Sequence, residues 1–129
     1  MPSVVQIVPV LKVSDLQKAV DYYTGVLGFT VTWRAANDCG GENCMLHAGL
    51  ASVLLSTGAH RGDKPRSTGT LYFHMGGVQA FLQHVKHHVE IGWLLQTTEY
   101  GETAVGILDC DGYVMAFAEA TESESCAVA

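Results

Sequence analysis

Apolar and polar residues along the first quarter of the chain follow two periods, which predict a strand followed by a helix. Val4–Val13 is rich in β-branched residues and is typical of a strand, and Pro9 within it favours an edge position or a bulge. Beyond it, apolar residues recur at helical spacing and form one stripe: Leu16, Ala19, Val20, Tyr23 and Leu27.

The ends of this helix carry recognisable signals. Ser14 and Gln17 form a capping-box pattern, which predicts a helix that begins at Asp15. Gly28 lies where a left-handed C-cap is expected, and Phe29–Trp33 returns to strand composition.

A shift of 62 residues aligns the chain with itself. It places Leu11 on Phe73, Val20 on Leu82 and Phe29 on Ile91. The same shift carries four strand residues of the first half, Met45, Leu46, Val53 and Leu55, onto Ile107, Leu108, Met115 and Phe117. The pattern predicts two copies of one unit, aligned without a gap.

Each copy is predicted to be a strand, a helix and a meander of three strands. Asp111-Gly112 between apolar runs is a strong hairpin signal, and Ala48-Gly49 is its weaker counterpart. The sequence therefore predicts an α+β fold of two tandem βαβββ modules, about 4–58 and 69–121, whose curved antiparallel sheets form a cup with the helices outside. The polar stretch 58–69 is interpreted as a linker and 122–129 as a flexible tail.

Length and composition favour one cytoplasmic domain spanning residues 1–129. The chain contains no apolar run near the roughly 20 residues that a membrane span needs, and its N-terminus lacks the pattern of a secretory signal. The four cysteines, Cys39, Cys44, Cys110 and Cys126, do not form a disulfide scaffold, although Cys39 and Cys44 could approach each other across a glycine turn.

The net charge of −6 is concentrated in the second half of the chain. No lysine or arginine follows Lys86, whereas eight acidic residues do: Glu90, Glu99, Glu102, Asp109, Asp111, Glu119, Glu122 and Glu124. This distribution disfavours nucleic acid and favours a cationic small molecule, and the alternative is an acidic surface that serves solubility alone. No membrane partner is expected.

Two segments, VPVLKVSDLQKAVDYYTGVLGF and YGETAVGILDCDGYVMAFAE, resemble the opening and closing signatures of the vicinal oxygen chelate superfamily. This superfamily contains glyoxalases, bleomycin-resistance proteins and extradiol dioxygenases. The resemblance runs from about Val4 to Glu119, and Cys110 stands where the closing motif usually has proline. It implies the cup fold and a homodimer, but the fold hosts many chemistries and fixes none of them.

The resemblance also implies four positions for metal ligands, which are Val8, Leu54, Thr70 and Ala116 in this chain. Three of these side chains have no lone pair, and one threonine hydroxyl does not make a set of hard ligands. We therefore expect no metal, no cofactor and none of the metal-dependent activities of the superfamily. The spacing of His84 and His88 suits adventitious metal capture, but with His87 they point away from the apolar stripe and are interpreted as a solvated helix face.

Strand alternation predicts which side chains line the cup. If Thr70 faces the cup, Tyr72 and His74 do too, whereas Phe73 faces the helices. The lining is otherwise mostly small and apolar, as in a ligand pocket, although large side chains could simply fill the space. Trp33 and Trp93 lie at nearly equivalent places on the cup sides and Tyr100 lies at the mouth, where aromatic faces would stack a planar ligand.

These arguments favour a metal-free binder that sequesters a small molecule, resembling the bleomycin-resistance proteins. One alternative is an enzyme, which would use acid and base residues such as His74 with Tyr72 or Glu102, or would act on a substrate that carries its own metal. Another alternative is a cup filled by its own side chains, with a regulatory or structural role. No catalytic residue is assigned. The predicted ligand-binding residues are Val8, Trp33, Leu54, Thr70, Tyr72, His74, Trp93, Tyr100, Glu102 and Ala116.

Overall fold

The computed structural model of the chain describes residues 3–37, 40–58, 69–97 and 101–120. The chain divides into two compact units, Met1–Arg66 and Ser67–Ala129. Most of the predicted linker and all of the predicted C-terminal tail lie outside the described residues.

The first unit has the predicted order of elements. Strand β1 (Val10–Lys12) leads to helix α1 (Leu16–Asp21), which continues into a π-helical turn (Tyr22–Val26). Strands β2 (Thr30–Ala36), β3 (Glu42–Ala48) and β4 (Ala51–Ser56) follow. They form one sheet in the order β1-β4-β3-β2, so the first and last strands are neighbours. Val4–Pro9, which was predicted to belong to the first strand, lies before it.

The second unit repeats this topology. It contains β5 (Thr70–His74), α2 (Val78–Val85), β6 (Glu90–Thr97), β7 (Glu102–Leu108) and β8 (Val114–Ala120), with the sheet order β5-β8-β7-β6. The prediction of two βαβββ modules is confirmed. Because β1 pairs with β4 and β5 pairs with β8 in parallel, each sheet is mixed rather than wholly antiparallel.

The register shows that the repeat has gaps, so the prediction of a single offset is wrong. Val10 lies opposite Leu54 and Tyr72 lies opposite Ala116, which keeps the offset of 62 for the outer parallel pair. Trp33 lies opposite Met45, whereas Trp93 lies opposite Gly106, which gives offsets of 60 and 61 for the other two strands. The π-helical turn makes the segment between the first and second strands longer in the first unit. The β7–β8 loop is in turn longer than the β3–β4 turn, so the offset is again 62 at the last strand of each unit.

Both ends of α1 are capped, although not as the capping box predicts. The N-cap is Asp15, not Ser14, and its carboxylate accepts a hydrogen bond from the backbone N–H of Lys18 at 3.1 Å. An aspartate here also complements the positive end of the helix dipole. Gly28 has a φ of 83°, which confirms the predicted left-handed residue after the helix.

Alternation along the strands divides each sheet into a helix-covered face and a face that we call the open face. In the second unit Phe73, Phe81 and Phe117 cluster on the helix-covered face, with ring centroids 5.0 Å apart for Phe73 and Phe117 and 4.8 Å apart for Phe81 and Phe117. Tyr72 and His74 therefore point to the open face, as predicted.

Helix α2 is capped from a distant strand. Its N-cap, Gly77, has a φ of 73° and no side chain, and the Glu119 carboxylate accepts hydrogen bonds from the backbone N–H groups of Gly77 and Val78, both at 3.0 Å. These two bonds, first that from Gly77, hold the pKa of Glu119 below its usual value. The carboxylate ties the last strand to the start of the helix.

We predict that Glu119→Gln reduces the free energy of unfolding at neutral pH and flattens its dependence on acid pH. A carboxyl group whose pKa is lower in the folded chain stabilises that chain above the ordinary glutamate pKa of about 4.5. This contribution is lost as the pH falls through the lowered folded value. The difference between wild type and variant, measured by urea denaturation, should therefore shrink between pH 7 and pH 3.

Glu90→Gln is the matched control, because Glu90 is exposed and accepts no hydrogen bond from a described residue. It should unfold like the wild type at pH 7. An equal effect of the two substitutions, or a constant Glu119→Gln deficit down to pH 3, would contradict the capping role.

Candidate functional site

One row of side chains crosses the open face of the second sheet. Trp93 lies opposite Gly106 on β7, Gly106 lies opposite Ala116 on β8, and Ala116 lies opposite Tyr72 on β5. Because opposite residues in a sheet point to the same face, two aromatic side chains flank a floor of glycine and alanine. In the next row Ala104 and Ala118 extend this floor towards His74.

The ring of Trp93 lies directly on the backbone of Gly106. A methyl group added at Gly106 would come within 2.3 Å of the Trp93 indole nitrogen, closer than real side chains approach. The glycine is therefore required for the ring to lie flat. A bulge between Ile91 and Trp93 sets the position of the tryptophan on its strand.

Glu102 holds both polar side chains of β5 at this floor. One carboxylate oxygen, Oε1, accepts a hydrogen bond from the Tyr72 hydroxyl at 2.6 Å, and the other, Oε2, lies 2.8 Å from His74 Nε2. The side chain of Glu102 is only 12% exposed, whereas that of His74 is 67% exposed. The carboxylate thus lies beneath the two rings, whose centroids are 5.1 Å apart.

These contacts fix which group donates in each of the two hydrogen bonds. A carboxylate can only accept, so the Tyr72 hydroxyl and His74 Nε2 must both donate to it. In a neutral imidazole the proton on Nε2 leaves Nδ1 as an acceptor, and Nδ1 makes no hydrogen bond to a described residue. With a neutral imidazole, the site presents an accepting nitrogen next to aromatic surfaces.

The predicted residues of the first unit form a separate group on its own sheet. Val8 lies before β1 and is half-buried, and Leu54 lies opposite Val10 rather than opposite Val8. Trp33 follows a bulge at the place equivalent to that of Trp93, but its partner is Met45 instead of glycine. Its ring is 42% exposed. No glutamate and histidine in contact, comparable to Glu102 and His74, lie on this open face among the described residues.

The remaining predicted residues are placed as follows. Thr70 is exposed on β5, one strand alternation away from Tyr72, and Ala116 is fully buried. Tyr100 lies outside the described residues. His84, His87 and His88 are exposed, as predicted.

The four positions at which the superfamily holds a metal do not fit one in this chain. The parallel register places Val10 beside Leu54 and Tyr72 beside Ala116. If Val10 and Tyr72 are taken as the first-strand positions in place of Val8 and Thr70, the four residues still contain no His, Glu or Gln ligand. Within the described ranges, no three His, Cys, Asp or Glu side chains lie close enough together to hold a metal ion.

Neither described cysteine is a candidate nucleophile. Cys44 is a buried free thiol whose pKa is raised by burial, and its proposed partner Cys39 lies outside the described residues. Cys110 is a half-buried free thiol next to Asp111. A thiol with a raised pKa is a poor nucleophile.

Gly106, the residue that positions Trp93, is not among the residues predicted from the sequence. The available signal was a glycine inside an apolar strand, between Val105 and Ile107, which often marks a close approach of another group. The sequence predicts Glu102 as a ligand-binding residue, but not as the group that joins Tyr72 and His74.

No helix in the described part of the chain is long and apolar enough to cross a membrane. A search of curated proteins found no match. Among solved structures, similar folds include the antibiotic-binding protein TnmS3 from Streptomyces sp. CB03234, at a TM-score of 0.76 and 17% identity, covering 94% of this chain and all of that one. TioX from Micromonospora sp. ML1 has a TM-score of 0.74 and 19% identity, covering 91% and 99% of the two chains.

Glyoxalase I from Zea mays is also similar, with a TM-score of 0.73 and 20% identity over 86% of this chain and 43% of the maize chain. At these identities the structures support the fold alone. The profile described as glyoxalase superfamily protein matches residues 3–124, almost the entire chain. The chain therefore belongs to the glyoxalase, or vicinal oxygen chelate, superfamily.

Proposed function

We propose that the protein binds and sequesters a planar small molecule on the open face of its second unit, without a resident metal ion. The observation that carries this proposal is the Trp93 ring laid flat on Gly106, in line with Ala116 and Tyr72. The glycine and alanines of the floor are buried but carry little side-chain bulk, and the two aromatic rings beside them supply stacking surfaces.

The charge of the site favours a cationic ligand. The side chain of Glu102 is only 12% exposed, and its carboxylate is the acidic group of the site, in contact with Nε2 of His74. Aromatic faces also attract cations, so the rings and the carboxylate favour the same ligand. The antibiotic-binding protein TnmS3 has a similar fold, which is consistent with a small-molecule ligand.

A second candidate is an enzyme that transfers protons, and the 2.8 Å contact between His74 and Glu102 favours it. A carboxylate bonded to Nε2 fixes the tautomer and stabilises the imidazolium that forms when Nδ1 takes a proton. The same geometry therefore supports binding or acid–base chemistry. The homodimer and the cytoplasmic location remain predictions.

Replacing Gly106 with alanine should displace the Trp93 ring from the sheet. In a Trp33→Phe background Trp93 is the only tryptophan. We expect Gly106→Ala to change its fluorescence emission and to reduce the free energy of unfolding by about 1–3 kcal/mol, because the new methyl group overlaps the ring.

Gly92→Ala is the control for this substitution. A methyl group there would make only ordinary contacts, the nearest at 3.5 Å to the Gly106 carbonyl oxygen. Its emission should match that of the background. An unchanged spectrum in Gly106→Ala would contradict the observation on which the proposal depends.

Planar cationic antibiotics should quench the fluorescence of Trp93 saturably when titrated into the purified protein. We expect Trp93→Leu, measured by calorimetry because the variant lacks the fluorescent residue, to weaken binding about tenfold, since stacking and cation–π contacts are lost. Trp33→Leu serves as the matched control and should have a smaller effect. Metal content measured on the same samples should stay far below one ion per chain. A stoichiometric metal ion, or equal effects of the two tryptophan substitutions, would contradict the proposal.

His74→Asn separates the two candidate functions. In a binder it should weaken affinity for the ligand identified by the titration, which should be recovered unaltered by mass spectrometry. In an enzyme it should reduce turnover about 10²–10⁴-fold with less change in affinity. If the wild type converts the ligand and His74→Asn does not, the protein is an enzyme and the proposal of sequestration is wrong.

A further inference from the structure

A groove on the helix-covered side of the second unit lies on the opposite side of the sheet from the candidate site. Its apolar half, with a volume of about 240 Å³, is lined by Leu82 and Lys86 of the α2 segment and by strand residues Ile91, Leu94, Leu95 and Val105. A more polar half of about 530 Å³ shares Leu82 and Leu95 and adds Gln79, Ala80 and Gln83. The two halves share these two leucines and therefore lie next to each other along α2.

Two differences between the units account for the groove. Strand β6 has a second bulge, between Trp93 and Gln96, which displaces Leu94 and Leu95 from regular pairing, whereas β2 pairs regularly beyond Trp33. In the first unit the π-helical turn packs on β2, whereas α2 ends at Val85 and packs mainly on β7 and β8. The side of β6 next to the helix is therefore less covered.

Leu94 shows that the apolar half is open to solvent. Its side chain is 77% exposed, although it lines an apolar surface. Covering such a leucine is favourable in proportion to the apolar area removed from water. Ligand pockets usually measure roughly 300–1,000 Å³, so the apolar half suits one part of a ligand and the polar half suits the rest.

The polarity of the groove indicates the class of ligand. Gln79 and Gln83 offer amide donors and acceptors without charge, and no acidic residue lines either half. Lys86 lies at the apolar end, where its alkyl stem can cover the tail while the ammonium group stays in water. We propose that the groove binds a single-chain amphiphile, with its alkyl tail along Leu94 and its uncharged hydrogen-bonding head at Gln79 and Gln83.

Alkyl glucosides are the probe for this proposal, titrated into the full-length protein by calorimetry below their micellar concentrations. We expect saturable binding of one molecule per chain. Affinity should rise about threefold to fourfold for each methylene added to a hexyl chain, until the apolar half is filled. Octyltrimethylammonium and nonanoate, which carry charged heads on the same eight-carbon alkyl chain, should bind more weakly than octyl glucoside.

Leu94→Asn should weaken binding of octyl glucoside about fivefold, and Leu50→Asn is its control because Leu50 is a fully exposed leucine in the first unit. A second variant, Ala80→Phe, places a ring in the polar half and should also weaken binding. Ala80 is exposed, so the ring can be added without entering the core.

Several results would overturn the proposal. These are binding only above the micellar concentration, no dependence on chain length, equal or tighter binding of nonanoate, and equal effects of the two leucine substitutions. A change in sedimentation coefficient with Leu94→Asn would assign the groove to a contact between copies of the chain instead.

Discussion

The parallel pairing of β5 with β8 is the constraint on which the candidate site depends. It sets Tyr72 beside Ala116 and His74 beside Ala118, so that small residues of β8 separate the two rings from Glu102 on β7. A slip of one residue would turn both rings towards the helix. The stacked Phe73 and Phe117 on the other face oppose that slip, because it would expose them. The site geometry is thus held by packing behind the sheet.

The two units have the same strand order and differ in the side chains on their open faces. Both tryptophans follow a bulge at the same point of the second strand, yet one meets Met45 and the other meets Gly106. A methyl group at Gly106 would overlap the Trp93 ring, so the glycine is what permits that contact. The partner on the neighbouring strand, methionine or glycine, therefore distinguishes the surroundings of the two tryptophans.

The sequence predicted those features that depend on local periodicity: the order of elements, the faces of the strands, Gly28 and the equivalence of Trp33 and Trp93. It did not predict features set by chain segments far apart in sequence. The gaps in the repeat arise from loop and helix lengths that leave the outer strands in register. The Glu119 cap of α2 joins residues 41 apart and has no local sequence signature. At α1, Ser14 and Asp15 are both residue types that cap helices, and the structure has Asp15 as the N-cap.

Burial of Glu102 constrains how any ligand is recognised. An ionised carboxylate that is only 12% exposed is costly unless it is hydrogen-bonded, and Tyr72 and His74 supply those bonds before a ligand arrives. Displacing either one would leave a buried charge with one fewer partner. A ligand is therefore expected to meet His74 Nδ1 and the aromatic faces directly, and to experience the charge of Glu102 through them. Selectivity then depends on what the ligand can donate and stack, and the carboxylate acts by orienting the groups that make the contact.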